Sequence, residues 1–148
     1  MPIATAQVAD LRAVGPVIDV QISPTAPVIK AMRNAGVAVP LPIKLSALID
    51  TGTSRSVIQS GLAQKLGLSP VGTRLVNTPS SHDFRCDRYL LRLVFSPTAG
   101  LIVPVAFDAS FIEAPLKGMS IQCLLGRDFL ANAVLTYVGP TNSFVLSL

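Results

Sequence analysis

The chain has 148 residues, of which 50% are hydrophobic and 14% charged, and its formal net charge is +4 at pH 7. This length predicts one domain with its own core. The twelve Lys and Arg residues are scattered without interleaved aromatic residues, which argues against nucleic-acid binding. The single histidine and the distant Cys86 and Cys123 fit no metal-ligand spacing, so we expect no metal, no cofactor and two reduced thiols.

The longest uncharged segment, residues 129–148, is long enough in principle to cross a bilayer. Gly139-Pro140 and several polar residues interrupt it midway. We therefore predict two strands joined by a turn and no membrane span. The N-terminus lacks a basic start followed by an apolar block, so we see no secretory signal and take a cytoplasmic location as the default expectation.

Hydrophobic periodicity and turn residues predict the elements in chain order. Residues 1–15 are expected to form a loose N-terminal arm, and the domain itself is expected to span 16–148. Prolines define an insertion of about 23–42. The elements predicted in this half are a strand at 16–22, a short helix at 28–34, a strand at 43–49 and a helix or helical turn at 56–66.

The second half is predicted to be rich in short strands. Polar turn residues within 78–83 make a long hairpin of the two strands that flank them. Many short strands with little helix indicate an all-β, barrel-like domain. The elements predicted here are strands at 74–77, 84–95, 101–107 and 121–125, a short helix at 129–133 that Asp128 caps, and strands at 134–138 and 143–148.

Reactive side chains are concentrated at one place, the segment Ala47-Leu48-Ile49-Asp50-Thr51-Gly52-Thr53-Ser54. Here an apolar strand ends on a carboxylate, and a strand end can hold a side chain rigidly where it reaches a cleft. Gly52 lets the chain turn sharply and lets its amide approach a carboxylate, because it has no Cβ atom. By itself the tripeptide is common, and an ordinary Asx-type turn at Asp50 is the alternative interpretation.

Two motifs together resemble the retropepsin-like, or retroviral-type, aspartic protease family. Residues 48–54 are similar to its apolar-apolar-Asp-Thr-Gly-Ser/Thr/Ala motif. Residues 123–130, Cys-Leu-Leu-Gly-Arg-Asp-Phe-Leu, are similar to its second motif, in which apolar residues and a glycine precede a polar pair that opens a helix. The resemblance covers about 16–148 and leaves 23–42 unmatched. It implies a small closed β-barrel of the acid-protease type with one or two short helices.

The resemblance implies an aspartic endopeptidase. In this family two aspartates face each other across a two-fold axis, and one activates a water while the other, protonated, donates to the scissile carbonyl oxygen. Pepsin-like members carry both motifs in a chain about twice this long. This chain carries one motif, so we expect a homodimer that acts on an extended peptide, with terminal strands in its interface. A catalytically silent peptide-binding or scaffold domain of the same fold is the alternative.

Residue roles carried over by position centre on the first motif. Asp50 would be the catalytic carboxylate, Thr51 would bond to the partner's matching loop, and Gly52 would supply an amide. Thr53 would place a hydroxyl beside Asp50. Structural support is expected from Leu125, Gly126, Arg127 and Asp128. The flap, at about 78–88, is expected to close with Pro79, Ser80, Ser81 and His82.

One departure from the family affects Arg127. Retroviral members usually have an acidic residue where this chain has Ser54, and that acid pairs with the arginine of the second motif. Arg127 must therefore have another partner. Asp128, a backbone carbonyl and a carboxylate of the other chain are the alternatives.

Overall fold

The computed structural model describes residues 2–78, 81–95 and 104–148, and these are mainly strands. The helices are α1 (Leu11–Val14), α2 (Ala26–Asn34), α3 (Leu62–Lys65) and α4 (Arg127–Leu130), with a 3-10 turn at Gly139–Thr141. The strands are β1 (Ile3–Gln7), β2 (Val17–Ser23), β3 (Ile43–Ile49), β4 (Val57–Gln59), β5 (Gly72–Thr78), β6 (Ser81–Phe95), β7 (Val105–Ala114), β8 (Cys123–Leu125), β9 (Val134–Val138) and β10 (Ser143–Ser147).

Six strands form a closed ring. They are neighbours in the order β2-β3-β8-β4-β7-β6, and a further pairing of β2 with β6 joins the two ends. Strand β6 is 15 residues long, so its second half belongs to the ring while its first half pairs with β5 in a hairpin. The all-β, barrel-like fold predicted from the sequence is confirmed as a closed ring of sheet.

The core fills the inside of this ring with aliphatic side chains. Leu91, Leu93 and Phe95 alternate along β6 and have no exposed surface, as the two-residue period of a strand requires. Phe95 stacks on Phe129 with 5.7 Å between ring centroids, so α4 is packed onto the core. A second, smaller cluster lies apart from the first and comprises Val57, Cys86, Ile112 and Leu116.

The N-terminal arm is not loose, and that prediction is wrong. Strand β1 pairs antiparallel with β10 along its whole length, and β9 pairs with the other edge of β10. Asp10 is the N-cap residue of α1, and its carboxylate accepts a hydrogen bond from the amide of Ala13. Ala4 and Leu11 are buried in the same core as Phe144, and this burial holds the arm in place.

Two other predicted elements need correction. Residues 57–59 form a strand rather than the start of a helix, because Val57 and Ile58 pair with both β7 and β8 and β-branched side chains suit such a position. Helix α3 begins only at Leu62. The strand predicted at 101–107 continues to Ala114, and its first three residues lie outside the described part of the chain.

The last segment is the hairpin that the sequence predicted. Strands β9 and β10 pair antiparallel, and the 3-10 turn containing Gly139-Pro140 joins them. Phe144 and Leu146 point into the core and have no exposed surface. In the described ranges no helix is long and apolar enough to cross a membrane.

We expect Phe144→Ala to lower the free energy of unfolding by about 3–5 kcal/mol, because it empties a fully buried site in the central strand of the terminal sheet. Val37→Ala, in the segment that follows α2, is the control. Val37 is 55% exposed, so its truncation should cost about 0.5 kcal/mol or less. Urea unfolding measures both variants. Equal losses would show that β10 does not anchor the core.

Candidate active site

Asp50 lies at the end of β3, where the sheet holds the main chain rigidly. Strands β3 and β8 run parallel with Ile49 beside Leu125, and the amide of Asp50 extends this ladder by donating to the carbonyl of Leu125 at 2.9 Å. The chain then turns, and the amide of Thr53 donates to the carbonyl of Asp50 at 3.3 Å. We call residues 50–55 the Asp50 loop.

The Asp50 carboxylate accepts one hydrogen bond on each oxygen. The amide of Gly52 donates to Oδ1 at 2.8 Å, and the hydroxyl of Thr53 donates to Oδ2 at 2.5 Å. The Gly52 contact is the one that an Asx-type turn would make. The contact of the Thr53 hydroxyl is additional to that turn. The two hydrogen bonds fix the orientation of the half-buried carboxylate, and both of its oxygens retain a free lone pair.

Gly126 packs directly behind the Asp50 loop. A Cβ atom at this position would lie 2.7 Å from the carbonyl carbon of Arg55 and 2.9 Å from the carbonyl oxygen of Thr53. The amide of Arg127 donates to that Thr53 oxygen at 2.9 Å. The two motifs are therefore in main-chain contact, and any side chain at Gly126 would displace the loop.

Ser56 and Asp128 form a second link between the motifs, and sequence reasoning missed Ser56. Its hydroxyl donates to Asp128 Oδ1 at 2.8 Å and accepts from the amide of Gly126 at 3.1 Å. Its own amide donates to Asp128 Oδ2 at 3.0 Å. The N-cap residue of α4 is Gly126, so the prediction that Asp128 caps this helix is wrong. No sequence signal beyond a serine before an apolar pair pointed to Ser56.

Arg127 has a backbone partner. Its Nη1 donates to the carbonyl oxygen of Thr51 at 2.7 Å. Of the three alternatives that the sequence left open, the backbone carbonyl is the one observed within this chain. The guanidinium therefore supports the Asp50 loop without the acidic residue that Ser54 replaces.

A cleft of about 910 Å³ lies between the Asp50 loop and the β5–β6 hairpin. One side is formed by Gly52 and the three residues after it, and the hairpin forms the other with Arg74 to Asn77, Phe84 and Cys86. Its apolar lining includes the small cluster around Val57 and Ile112. A cleft of this volume with a largely apolar lining can hold part of an extended peptide.

The hairpin that the sequence proposed as a flap is irregular near its tip. Asn77 lies opposite both His82 and Asp83, so the register shifts there. Asp83 has a φ of 55°, and its amide donates to Oδ1 of Asn77 at 2.9 Å. Such a bulge bends a hairpin. Ser81 and His82 open β6, while Pro79 and Ser80 lie outside the described residues.

The structure has both cysteines as free thiols, and both are buried. Burial raises the pKa of the Cys86 thiol, and the nearby Asp87 and Glu113 carboxylates raise it further. Burial raises the pKa of Cys123 to about 12. Both thiols are therefore neutral near pH 7, and Cys86 lines the cleft as an uncharged side chain. The described residues contain no group of three or more metal-ligating side chains.

The closed ring of strands thus carries the Asp50 loop packed against Gly126 of the second motif. The chain belongs to the aspartyl protease family, because the family model described as aspartyl protease matches residues 40–129, which include the first motif and all but the last residue of the second. Its fold is similar to the crystal structure of a retropepsin-like aspartic protease from Rickettsia conorii, with a TM-score of 0.54 over 97% of this chain and 90% of that chain. The two sequences are 17% identical, so this likeness concerns the fold. No curated protein matches.

We expect Ser56→Ala to lower the free energy of unfolding by about 1–3 kcal/mol, because it leaves the Gly126 amide and one Asp128 oxygen without their partner in a buried place. Ser54→Ala, at an exposed position two residues earlier, is the matched control and should cost about 0.5 kcal/mol or less. Chemical denaturation followed by circular dichroism measures both. A Ser56→Ala variant as stable as Ser54→Ala would show that this link does not hold the motifs together.

Proposed function

We propose that this protein is an aspartic endopeptidase in which two identical chains each contribute Asp50 to one active site. The observation that carries the proposal is the Asp50 carboxylate itself. It is held by Gly52 and Thr53, retains free lone pairs, and belongs to a loop that borders a peptide-sized cleft. Membership of the aspartyl protease family supports the same reaction.

The chain has one Asp-Thr-Gly sequence. Other acidic residues form hydrogen bonds or ion pairs away from Asp50. Asp19 accepts from Ser46, and Asp108 pairs with Arg92. Both atoms that contact the Asp50 carboxylate come from its own loop. A second carboxylate facing Asp50 is therefore expected from another copy of the chain, which is the reason for proposing a homodimer.

In the proposed mechanism the two Asp50 carboxylates share one proton, because two adjacent negative charges repel. The ionised carboxylate takes a proton from the water, and the water oxygen attacks the scissile carbonyl carbon. The protonated carboxylate donates to the carbonyl oxygen. The tetrahedral intermediate then breaks its C–N bond as the first carboxylate gives the amine nitrogen the proton that it took from the water, and the other carboxylate recovers a proton from a hydroxyl of the intermediate.

The residues around Asp50 have supporting roles in this proposal. Gly52 and Thr53 keep the carboxylates oriented, and Gly126 with Arg127 keeps the loop fixed, which reduces the reorganisation needed in the transition state. Thr51 would bond to the matching loop of the second chain. The β5–β6 hairpin would act as the flap over an extended peptide.

The terminal sheet refines the proposed interface. In the described part of the chain, both edges of β10 are occupied, by β1 and by β9, so a partner strand has no edge of β10 to pair with. Among these residues, β1 and β9 are the outer strands of the sheet. Ile3, Val134 and Tyr137 on these strands are 48%, 57% and 51% exposed. A second copy of the chain would cover such apolar groups on association.

We expect Asp50→Asn to lower hydrolysis of denatured casein by at least about 100-fold, because an amide cannot act as the general base. The variant should keep the melting temperature and the sedimentation behaviour of the parent, since Asn has nearly the same shape as Asp. The assay spans acidic to neutral pH. Equal activity of parent and variant would contradict the proposal, and a folded, dimeric parent without activity would favour the silent peptide-binding alternative.

A further inference from the structure

A small cavity beside the cleft is surrounded by positive charge. Its volume is about 80 Å³, and Arg55, Arg74 and Arg88 all line it, together with one acid, Asp128. It shares Arg55, Arg74 and Ile112 with the 910 Å³ cleft. The two spaces are therefore adjacent, and we call the small one the arginine pocket.

Strand register explains why two of these arginines meet. In the β5–β6 hairpin, Arg74 lies opposite Cys86, and Gly72 lies opposite Arg88. Alternate residues of a strand share a face, so Arg74 and Arg88 project from the same face of the hairpin. Arg55 reaches the pocket from the end of the Asp50 loop. Two separate elements thus bring like charges together.

The three arginines have no counter-charge of their own. In the described part of the chain, no carboxylate forms an ion pair with Arg55, Arg74 or Arg88. Asp128 lines the pocket, but both of its oxygens already accept hydrogen bonds from Ser56. The three arginine side chains and the single Asp128 carboxylate give the pocket a net positive charge. This charge attracts an anion.

Arg88 is held in position with part of its hydrogen-bonding capacity unused. Its Nη2 makes a long contact of 3.5 Å with the carbonyl oxygen of Val71. Its Nε is buried and has no hydrogen-bond partner among the described residues. A Cβ atom at Gly72 would lie 3.1 Å from Nη2 and 3.5 Å from Nε, so the glycine makes room for the guanidinium. A buried N–H without an acceptor is costly, and an anion would supply one.

We propose that the arginine pocket binds the carboxylate of an acidic side chain of the peptide substrate, so that the enzyme prefers Asp or Glu near the scissile bond. The inference rests on the proposed function, because it assigns the cleft to a peptide substrate. A carboxylate suits the pocket because the planar guanidinium can donate two parallel hydrogen bonds to it. The rest of the cleft is largely apolar, so the pocket is the place where it would recognise charge.

The first test measures binding in the Asp50→Asn variant, which leaves the peptides uncleaved. Two degenerate peptide pools are compared, identical except that Asp and Glu in one are replaced by Asn and Gln in the other. We expect the acidic pool to bind about tenfold more tightly, the effect of one charge-assisted hydrogen bond. Adding Arg74→Met should remove most of this preference, because it deletes a charge at an exposed position without disturbing the core.

Arg85→Met is the matched control. Arg85 lies opposite Leu75 in the same hairpin, and neither residue lines the arginine pocket, so its replacement should keep the preference. Equal binding of the two pools, or no binding of either, would overturn the proposal. Equal losses in Arg74→Met and Arg85→Met would also overturn it, because the preference would then come only from the net charge of +4.

Cleavage of the same pools by the wild-type protein separates this proposal from the proposed function. Selective binding of the acidic pool without cleavage of either pool would support the arginine pocket and contradict the peptidase assignment. Cleavage of both pools with equal kcat/KM would support the peptidase assignment and contradict the arginine pocket. Selective cleavage of the acidic pool that declines as salt screens the charges supports both.

Discussion

The site depends on the close contact between two main-chain segments that lie far apart in the sequence. Gly126 sits so near the Asp50 loop that a Cβ atom would approach Arg55 to 2.7 Å. The parallel pairing of β3 with β8 brings the segments together, and the Ser56–Asp128 hydrogen bonds lock them. Because a packed interior resists even small displacements, the direction of the Asp50 carboxylate is set by this contact.

The sequence predicted the local parts of this arrangement and missed the long-range ones. Strand β3, the loop at Asp50 and the final hairpin each have a strong local pattern of apolar residues and turns. Strand β1 was missed because its partner β10 is at the other end of the chain, where no local pattern reveals it. Strand β4 was missed because three residues are too few for periodicity to distinguish strand from helix. The arginine pocket depends on register, which composition does not specify.

The proposed functions fall on two different parts of the structure, the closed ring and the β5–β6 hairpin. Asp50 projects from the closed ring, whose pairing and aliphatic core hold it still. The hairpin of β5 and β6 extends beyond the ring and carries exposed residues such as Leu75 and Phe84. Chemistry that needs fixed geometry would therefore rely on the ring, while substrate capture and selection would rely on the hairpin.

The central claim is that one chain supplies half of an active site, and subunit mixing tests it most directly. Wild-type and Asp50→Asn chains are combined at constant total concentration and allowed to exchange before peptidase activity is measured. If each site needs two Asp50 carboxylates, activity follows the square of the wild-type fraction, and an equal mixture retains about one quarter of the full activity. Activity proportional to the wild-type fraction, about one half in the equal mixture, would mean that each chain acts alone and would contradict the account.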